Sequence, residues 1–207
     1  MDGPPDGCRG RLPVTETLAK AVLLLGAVGW FVIRYPHQRR ARKTPVRKSA
    51  RDVREILLLS LSAAGLGIVP FLYILTGVPR FADRPFIPAL AWCGALLFAA
   101  ALWLFYATHR ELGRNWSVSL ELRDQHALIT RGVYARVRHP MYSAFWLWTI
   151  AQALLLPNWV AGSAGILGFG TLFLCRVGRE EELMLEAFGE RYRDYMRRTA
   201  RIVPWIY

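Results

Sequence analysis

The 207-residue chain predicts an all-α integral membrane protein with about five transmembrane helices, and three observations support this. Four stretches, 18–33, 56–78, 86–108 and 141–177, are apolar enough to enter a bilayer, where a spanning helix needs roughly 17–25 residues. The last is too long for one span, and Pro157-Asn158 divides it into two short spans joined by a tight turn. The charge is also sorted. Of 27 lysines and arginines, nine lie in 34–54, six in 108–140 and seven in 176–207. Five spans place these three segments on one side, and the positive-inside rule makes that side cytoplasmic, with the N-terminus outside.

Composition narrows the class further. The chain is 54% hydrophobic yet carries a net charge of +12, and membrane orientation accounts for the basic excess without a nucleic-acid partner. The three cysteines, Cys8, Cys93 and Cys175, are widely spaced and form neither a disulfide framework nor a metal site.

Taken in order, residues 1–17 read as an exterior tail. Pro4, Pro5, Pro13 and the lack of an apolar run before Leu18 exclude a signal peptide, so the first span is retained. Three spans fill 18–108. The first stops at Arg34-Tyr35-Pro36 because proline ends a helix. The basic stretch 34–54 is then a cytoplasmic loop touching anionic lipid, at about 1 kcal/mol per basic residue. Gly77, Pro79, Pro85 and Pro88 turn the second span into the third. Neither of these spans contains a charged residue, which counts against ion transport.

The segment 109–207 reads as a functional core. Residues 109–140 are polar but interrupted by Leu120, Leu122, Leu128, Ile129, Val133 and Tyr134, with a short extended piece at 118–122 and a turn at Gly132. The hairpin 141–177 follows. Its first arm is short, and its second carries Gly162, Gly165, Gly168 and Gly170, small residues that let the two arms pack closely. A charged interfacial helix over 180–198 then presents a stripe of Met184, Phe188, Tyr192 and Tyr195, with Gly189 marking a kink.

Chemistry concentrates in Arg138-His139-Pro140-Met141-Tyr142, where the polar loop enters the fourth span. Pro140 suits a first helical turn, which aims His139 and the helix N-terminus at a common pocket. Arg176 and Glu180-Glu181-Glu182 return to the same side. Such a pocket at a membrane surface suits an amphipathic ligand. Plainer roles compete: His139 as a helix cap, Arg138 and Arg176 as anchors, Tyr134 and Tyr142 as interfacial aromatics, one glutamate stabilising a helix N-terminus. His109 and Trp116 read as packing, and His37 as loop.

The order Leu112-Gly113-Arg114-Asn115-Trp116-Ser117, then 126–134, then Arg138-His139-Pro140-Met141-Tyr142, then Arg176 and Glu180 resembles the isoprenylcysteine carboxyl methyltransferase and phospholipid methyltransferase group of membrane enzymes. The likeness runs from 112 to 204. It implies S-adenosylmethionine in a cytoplasmic pocket lined by His126, Ala127, Leu128, Ile129, Tyr134, His139, Pro140, Met141, Tyr142 and Glu180. It also implies that Arg176 faces a lipophilic or lipidated acceptor arriving from the bilayer, with Arg176 and Glu180 the catalytic pair. The residues agree: Arg138 or His139 can meet the ligand's carboxylate, Glu180 or Glu181 its ammonium or ribose, Tyr134 and Leu128 its adenine. A carboxylate acceptor needs no base, whereas an amine must lose a proton, to which 180–182 can contribute. Ser143-Ala144 departs from a family preference for glycine two residues after the motif tyrosine, which leaves acceptor specificity open. Carboxyl methylation of a prenylated cysteine or related lipid leads. Phospholipid amine N-methylation and a non-catalytic transporter or assembly protein are the alternatives. A nicotinamide-dependent reductase lacks any glycine-rich signature.

Overall fold

The computed structural model describes residues 12–41, 46–49, 52–113, 121–123 and 128–206. Seven α-helices and one short β-ribbon account for most of them. Helix α1 is Leu12–Ala41. Helices α2 (Val53–Ala63) and α3 (Val69–Thr76) are joined without a break by a π-helical turn at Ala64–Ile68. Helix α4 is Pro88–Leu112, α5 is Pro140–Leu155, α6 is Trp159–Phe188 and α7 is Glu190–Arg198. Four segments, Thr15–Arg39, Val53–Thr76, Pro88–Leu112 and Trp159–Phe188, are long and apolar enough to cross a membrane. The 16-residue α5 is shorter, about 24 Å at 1.5 Å per residue, and is the fifth apolar helix of the bundle. Side chains such as Leu25, Leu57, Leu75, Leu96, Leu167 and Leu174 point outward, as a bilayer-facing surface requires.

Several boundaries differ from the sequence reading, each for a local reason. Helix α1 runs through Pro36 rather than stopping there. The residue after it, His37, sets its Nδ1 3.0 Å from the Ile33 carbonyl one turn back, so side-chain bonding supports the turn that proline weakens. The basic loop is correspondingly shorter than 34–54, and His37 is helical. Its ring packs edge-on against His109, 5.0 Å between centroids. Helix α1 also begins before residue 18, with Pro13 in its first turn, where a missing N–H is harmless. Helix α6 does not end at 177. It carries its charged residues to Phe188 and breaks at Gly189, which adopts φ +54°, a conformation open to glycine at little strain. The 180–198 helix is therefore two pieces.

The topology gathers one end of the bundle. Strands β1 (Val46–Ser49) and β2 (Glu121–Arg123) pair antiparallel, with Ser49 opposite Glu121. This joins the α1–α2 connection to the α4–α5 connection. Behind them, α4 lies along α5, α5 along α6, and α2 along α6.

The α6 glycines serve two neighbours, not only the hairpin partner. Gly162 faces Ala153 of α5, whereas Gly168 abuts the Leu61 carbonyl of α2. Across the same seam, a Cβ on Gly65 would fall 2.2 Å from the Ala164 carbonyl oxygen. Gln152, fully buried, donates to the Gly65 carbonyl at 3.0 Å and the Ala161 carbonyl at 2.7 Å. Gly65→Ala must therefore separate α6 from the π-helical turn. The expected loss is about 1–3 kcal/mol, read as a lower thermal midpoint in detergent.

The opposite end of the bundle is tied by Asn158. Its Oδ1 accepts from the Ala161 amide at 2.8 Å, capping α6. Its Nδ2 donates to the Pro79 carbonyl at 2.7 Å and to Asp83 at 2.8 Å. The division at Pro157-Asn158 thus becomes a capped turn.

Candidate functional site

At the ribbon end, α5, α6, α7 and the 128–139 segment enclose one end of a cavity of about 940 Å³. This is near the top of the ~300–1,000 Å³ range of small-molecule sites. The cavity has two characters. One end is bordered by Tyr134, Arg138, His139, Tyr142, Arg176 and Glu180, with Leu128, Ile129, Met141 and Met184 beside them. The other runs between α1, α2 and α5 along Val28, Phe31, Leu59, Leu66 and Trp148. Of the residues expected to form the site, Leu128, Ile129, Tyr134, His139, Met141, Tyr142, Arg176 and Glu180 all border this one cavity. Pro140 is buried behind it at the start of α5. His126 and Ala127 lie outside the described residues, as do Trp116 and most of the extended piece sought at 118–122; strand β2 covers 121–123.

Local sequence explains the positions. Pro140 opens α5, so His139 is its N-cap residue, but the histidine side chain makes no cap bond. The ring is free to face α6. Its Nε2 lies 3.3 Å from Glu181 Oε1 and its Nδ1 3.8 Å from Glu180 Oε1. One turn into α5, the Tyr142 hydroxyl donates to Glu180 Oε2 at 2.6 Å. Arg176 and Glu180 are four residues apart and share a face of α6, with Arg176 Nε 3.9 Å from Glu180 Oε2.

Three consecutive glutamates have three fates, because each step along a helix turns about 100°. Glu180 borders the cavity and keeps a 34% exposed side chain. Glu182 is exposed to solvent. Glu181 is buried and clamped: Arg138 Nε donates to its Oε1 at 3.0 Å, and Arg201 donates at 3.2 and 2.6 Å to its two oxygens. The choice between Glu180 and Glu181 is thereby separated by geometry.

Arg138, read as either ligand or anchor, is neither a free ligand nor a simple interfacial cation. Beyond Glu181, its Nη1 donates to the carbonyls of Met196, at 3.1 Å, and Thr199. The tail is laced to this loop by its backbone: the Arg138 amide donates to the Ala200 carbonyl at 2.8 Å and the His139 amide to the Arg201 carbonyl at 3.0 Å. Tyr195 of α7 donates to the Tyr134 carbonyl at 2.6 Å. Burial and then the Glu180 charge push the Tyr134 phenol well above its ordinary value, so it remains neutral. Tyr134 and Tyr142 are both buried, and so are not exposed interfacial aromatics. His109 is fully buried, with Nδ1 2.9 Å from the Phe105 carbonyl, which fits its reading as a packing residue.

The sequence reading passed over Glu55. It lies in the first turn of α2, 1% exposed, with its Oε1 3.1 Å from Arg176 Nη1. Residue 55 falls between the basic loop 34–54 and the span 56–78 that the sequence predicts. The signal was present: Asp52 stands three residues before Glu55 ahead of an apolar run, a helix-start pattern, and Asp52 Oδ1 accepts from the Glu55 amide at 2.8 Å. That amide is the main reason Asp52 sits below the ordinary carboxylate range. Asp52 also pairs with Arg179 at 3.4 Å.

Fold and site together define a multi-pass membrane protein with a pocket that is polar at one end and lipid-like at the other. The 92–186 region matches the profile of the isoprenylcysteine carboxyl methyltransferase (ICMT) family. The protein-S-isoprenylcysteine O-methyltransferase of Dictyostelium discoideum is 30% identical over 125 residues, covering 58% of this chain and 51% of that one. The human protein of that name is 36% identical over 92 residues, covering 44% and 32%. A solved structure of the eukaryotic intramembrane Ras methyltransferase ICMT superposes with a TM-score of 0.50 over 76% of this chain and 55% of the other, at 22% identity, a likeness of fold. Through this region the chain is similar to the isoprenylcysteine carboxyl methyltransferase family. The aligned stretch spans about half of the Dictyostelium protein and about a third of the human one.

Proposed function

We propose that the protein is an S-adenosylmethionine-dependent carboxyl methyltransferase acting on a prenylated cysteine or a related lipophilic acid. One observation carries this reading: a single cavity joins the cluster of His139, Tyr142, Arg176 and Glu180 to an apolar passage between membrane helices. The family relatives support the choice of acceptor.

The polar end has the donor set such a methyl donor requires. His139 can meet its carboxylate, Glu180 its ammonium or ribose hydroxyls, and the apolar wall of Leu128, Ile129 and Met141, with the Tyr134 ring, can accept adenine. When bound, S-adenosylmethionine supplies a methyl carbon on a sulfonium: the C–S pair stays on sulfur, and an acceptor carboxylate oxygen provides the pair for the new C–O bond. The residues supply position and dryness. Tyr142 holds Glu180 in place through its 2.6 Å hydrogen bond. Arg176, with a 9% exposed side chain, fixes the acceptor carboxylate while one oxygen remains free to attack. Orientation in a water-poor site is the main source of rate, and no general base is needed. An acceptor amine would find a cation here, which disfavours N-methylation.

A mouth on the cytoplasmic side is supported by the concentration of lysine and arginine in 34–54, 108–140 and 176–207, through the positive-inside rule. The test is direct. Purified protein in lipid nanodiscs, given methyl-labelled donor and S-farnesyl-N-acetylcysteine, should yield a base-labile methyl ester detected by mass spectrometry. Label appearing only on phosphatidylethanolamine, or on nothing, would reject the proposal. Glu180→Ala or His139→Ala should weaken donor binding about 10- to 100-fold by calorimetry, the scale of one lost charged hydrogen bond.

A further inference from the structure

The buried carboxylate of Glu55 has no part in the chemistry above, yet it reaches Arg176 from a different helix. Its Oε1 is 3.1 Å from Nη1 but out of line for a hydrogen bond. Arg176 is thus a cation that already faces two carboxylates of the protein, Glu55 on α2 and Glu180 on its own helix. A buried charge without a partner is strongly destabilising, so a resident carboxylate answers the question of what balances Arg176 when no acceptor is bound. It also raises a second question, because an arriving acceptor brings another negative charge to the same guanidinium.

We propose that Glu55 is a positioning residue that competes with the acceptor carboxylate for Arg176 and recaptures the guanidinium once the acceptor has become a neutral ester, so that product is expelled. This rests on the carboxyl methylation reading. The charge arithmetic supports it. Before transfer, the acid holds Arg176 by an ion pair comparable with that of Glu55. After transfer, the acceptor has lost its charge while Glu55 keeps its own. The balance then favours the resident pair, and the misaligned contact is one that a ligand can displace without breaking a hydrogen bond. Glu55 does not border the cavity, so it acts through Arg176 rather than on the acceptor.

The test uses the intact protein in nanodiscs, S-farnesyl-N-acetylcysteine as acceptor and its methyl ester as product inhibitor. Glu55→Gln keeps shape and removes charge. The expected result is a KM for the acid lower by about tenfold, the scale of one charge-assisted contact, with the ester a tighter inhibitor and kcat no higher. Glu55→Asp should return KM toward that of the unmodified protein. Asp52→Asn is the control: it weakens the neighbouring 3.4 Å Asp52–Arg179 pair between the same two helices and retains a capping side chain. It should leave KM and ester inhibition unchanged. Donor binding by calorimetry, with thermal unfolding alongside, verifies that each variant is folded. An unchanged or raised KM for Glu55→Gln in folded protein overturns the inference, as does an equal shift in Asp52→Asn. If the unmodified protein makes no ester, it is the functional reading that fails, which distinguishes the two.

Discussion

Arg176→Met should abolish methyl transfer and destabilise the fold in a single substitution. The side chain packs in the polar end of the cavity, and Glu55 and Glu180 both depend on its charge. Removing it leaves Glu55, 1% exposed, as a buried carboxylate without its cation, a change worth about 3–5 kcal/mol. Transfer should fall about 100-fold or more, because the acceptor carboxylate is no longer held in line. The two effects separate in a double variant. Arg176→Met with Glu55→Gln replaces the ion pair by neutral groups of similar size and should recover most of the lost stability, while activity stays lost. Thermal unfolding in detergent and a methyl-ester assay read the two halves. Recovery of activity in the double variant would show that Arg176 is structural only.

Glu181→Ala comes next in size and separates neighbouring carboxylates. Glu181 receives Arg138 and Arg201 and lies 3.3 Å from His139 Nε2. It therefore ties the start of α5 and the tail after α7 to α6. Its loss leaves Arg138, whose side chain is 10% exposed, without its carboxylate, and should lower stability by about 3–5 kcal/mol. Donor binding should weaken as well, since His139 loses the contact that orients its ring. Glu182→Ala, one residue further and exposed, should stay within about 0.5 kcal/mol of the parent. Equal thermal midpoints for these two variants would mean that the clamp is slack.

The contrast among 180–182 shows where sequence reasoning reaches its end. Three identical residues in a row carry no local label for cavity, clamp and solvent. Only the 100° rotation per residue, combined with what lies beside each face, assigns them. The same holds for Arg138, where a basic residue at a span end reads as an anchor until Met196 and Thr199 are brought within reach by the turn at Gly189. Glu55 was missed because its importance depends on a partner 121 residues away. The apolar helices, by contrast, were legible in number and order though not in their ends, since hydropathy is a local property and lipid imposes it directly.

The chain by itself determined that it spans a membrane, that its basic residues cluster in three segments outside the apolar stretches, and that Tyr134, His139, Tyr142, Arg176 and Glu180 belong together. These follow from apolar length, from charge asymmetry, and from a motif whose members lie at the ends of consecutive spans. The tertiary structure alone decided which carboxylate faces the cavity, which cation is locked, and that α1 and α2 supply the apolar passage. It also decided that the α6 glycines serve α2 as much as α5. These depend on which helix faces lie opposite one another, and that is set by side-chain packing and close backbone approach across the whole bundle.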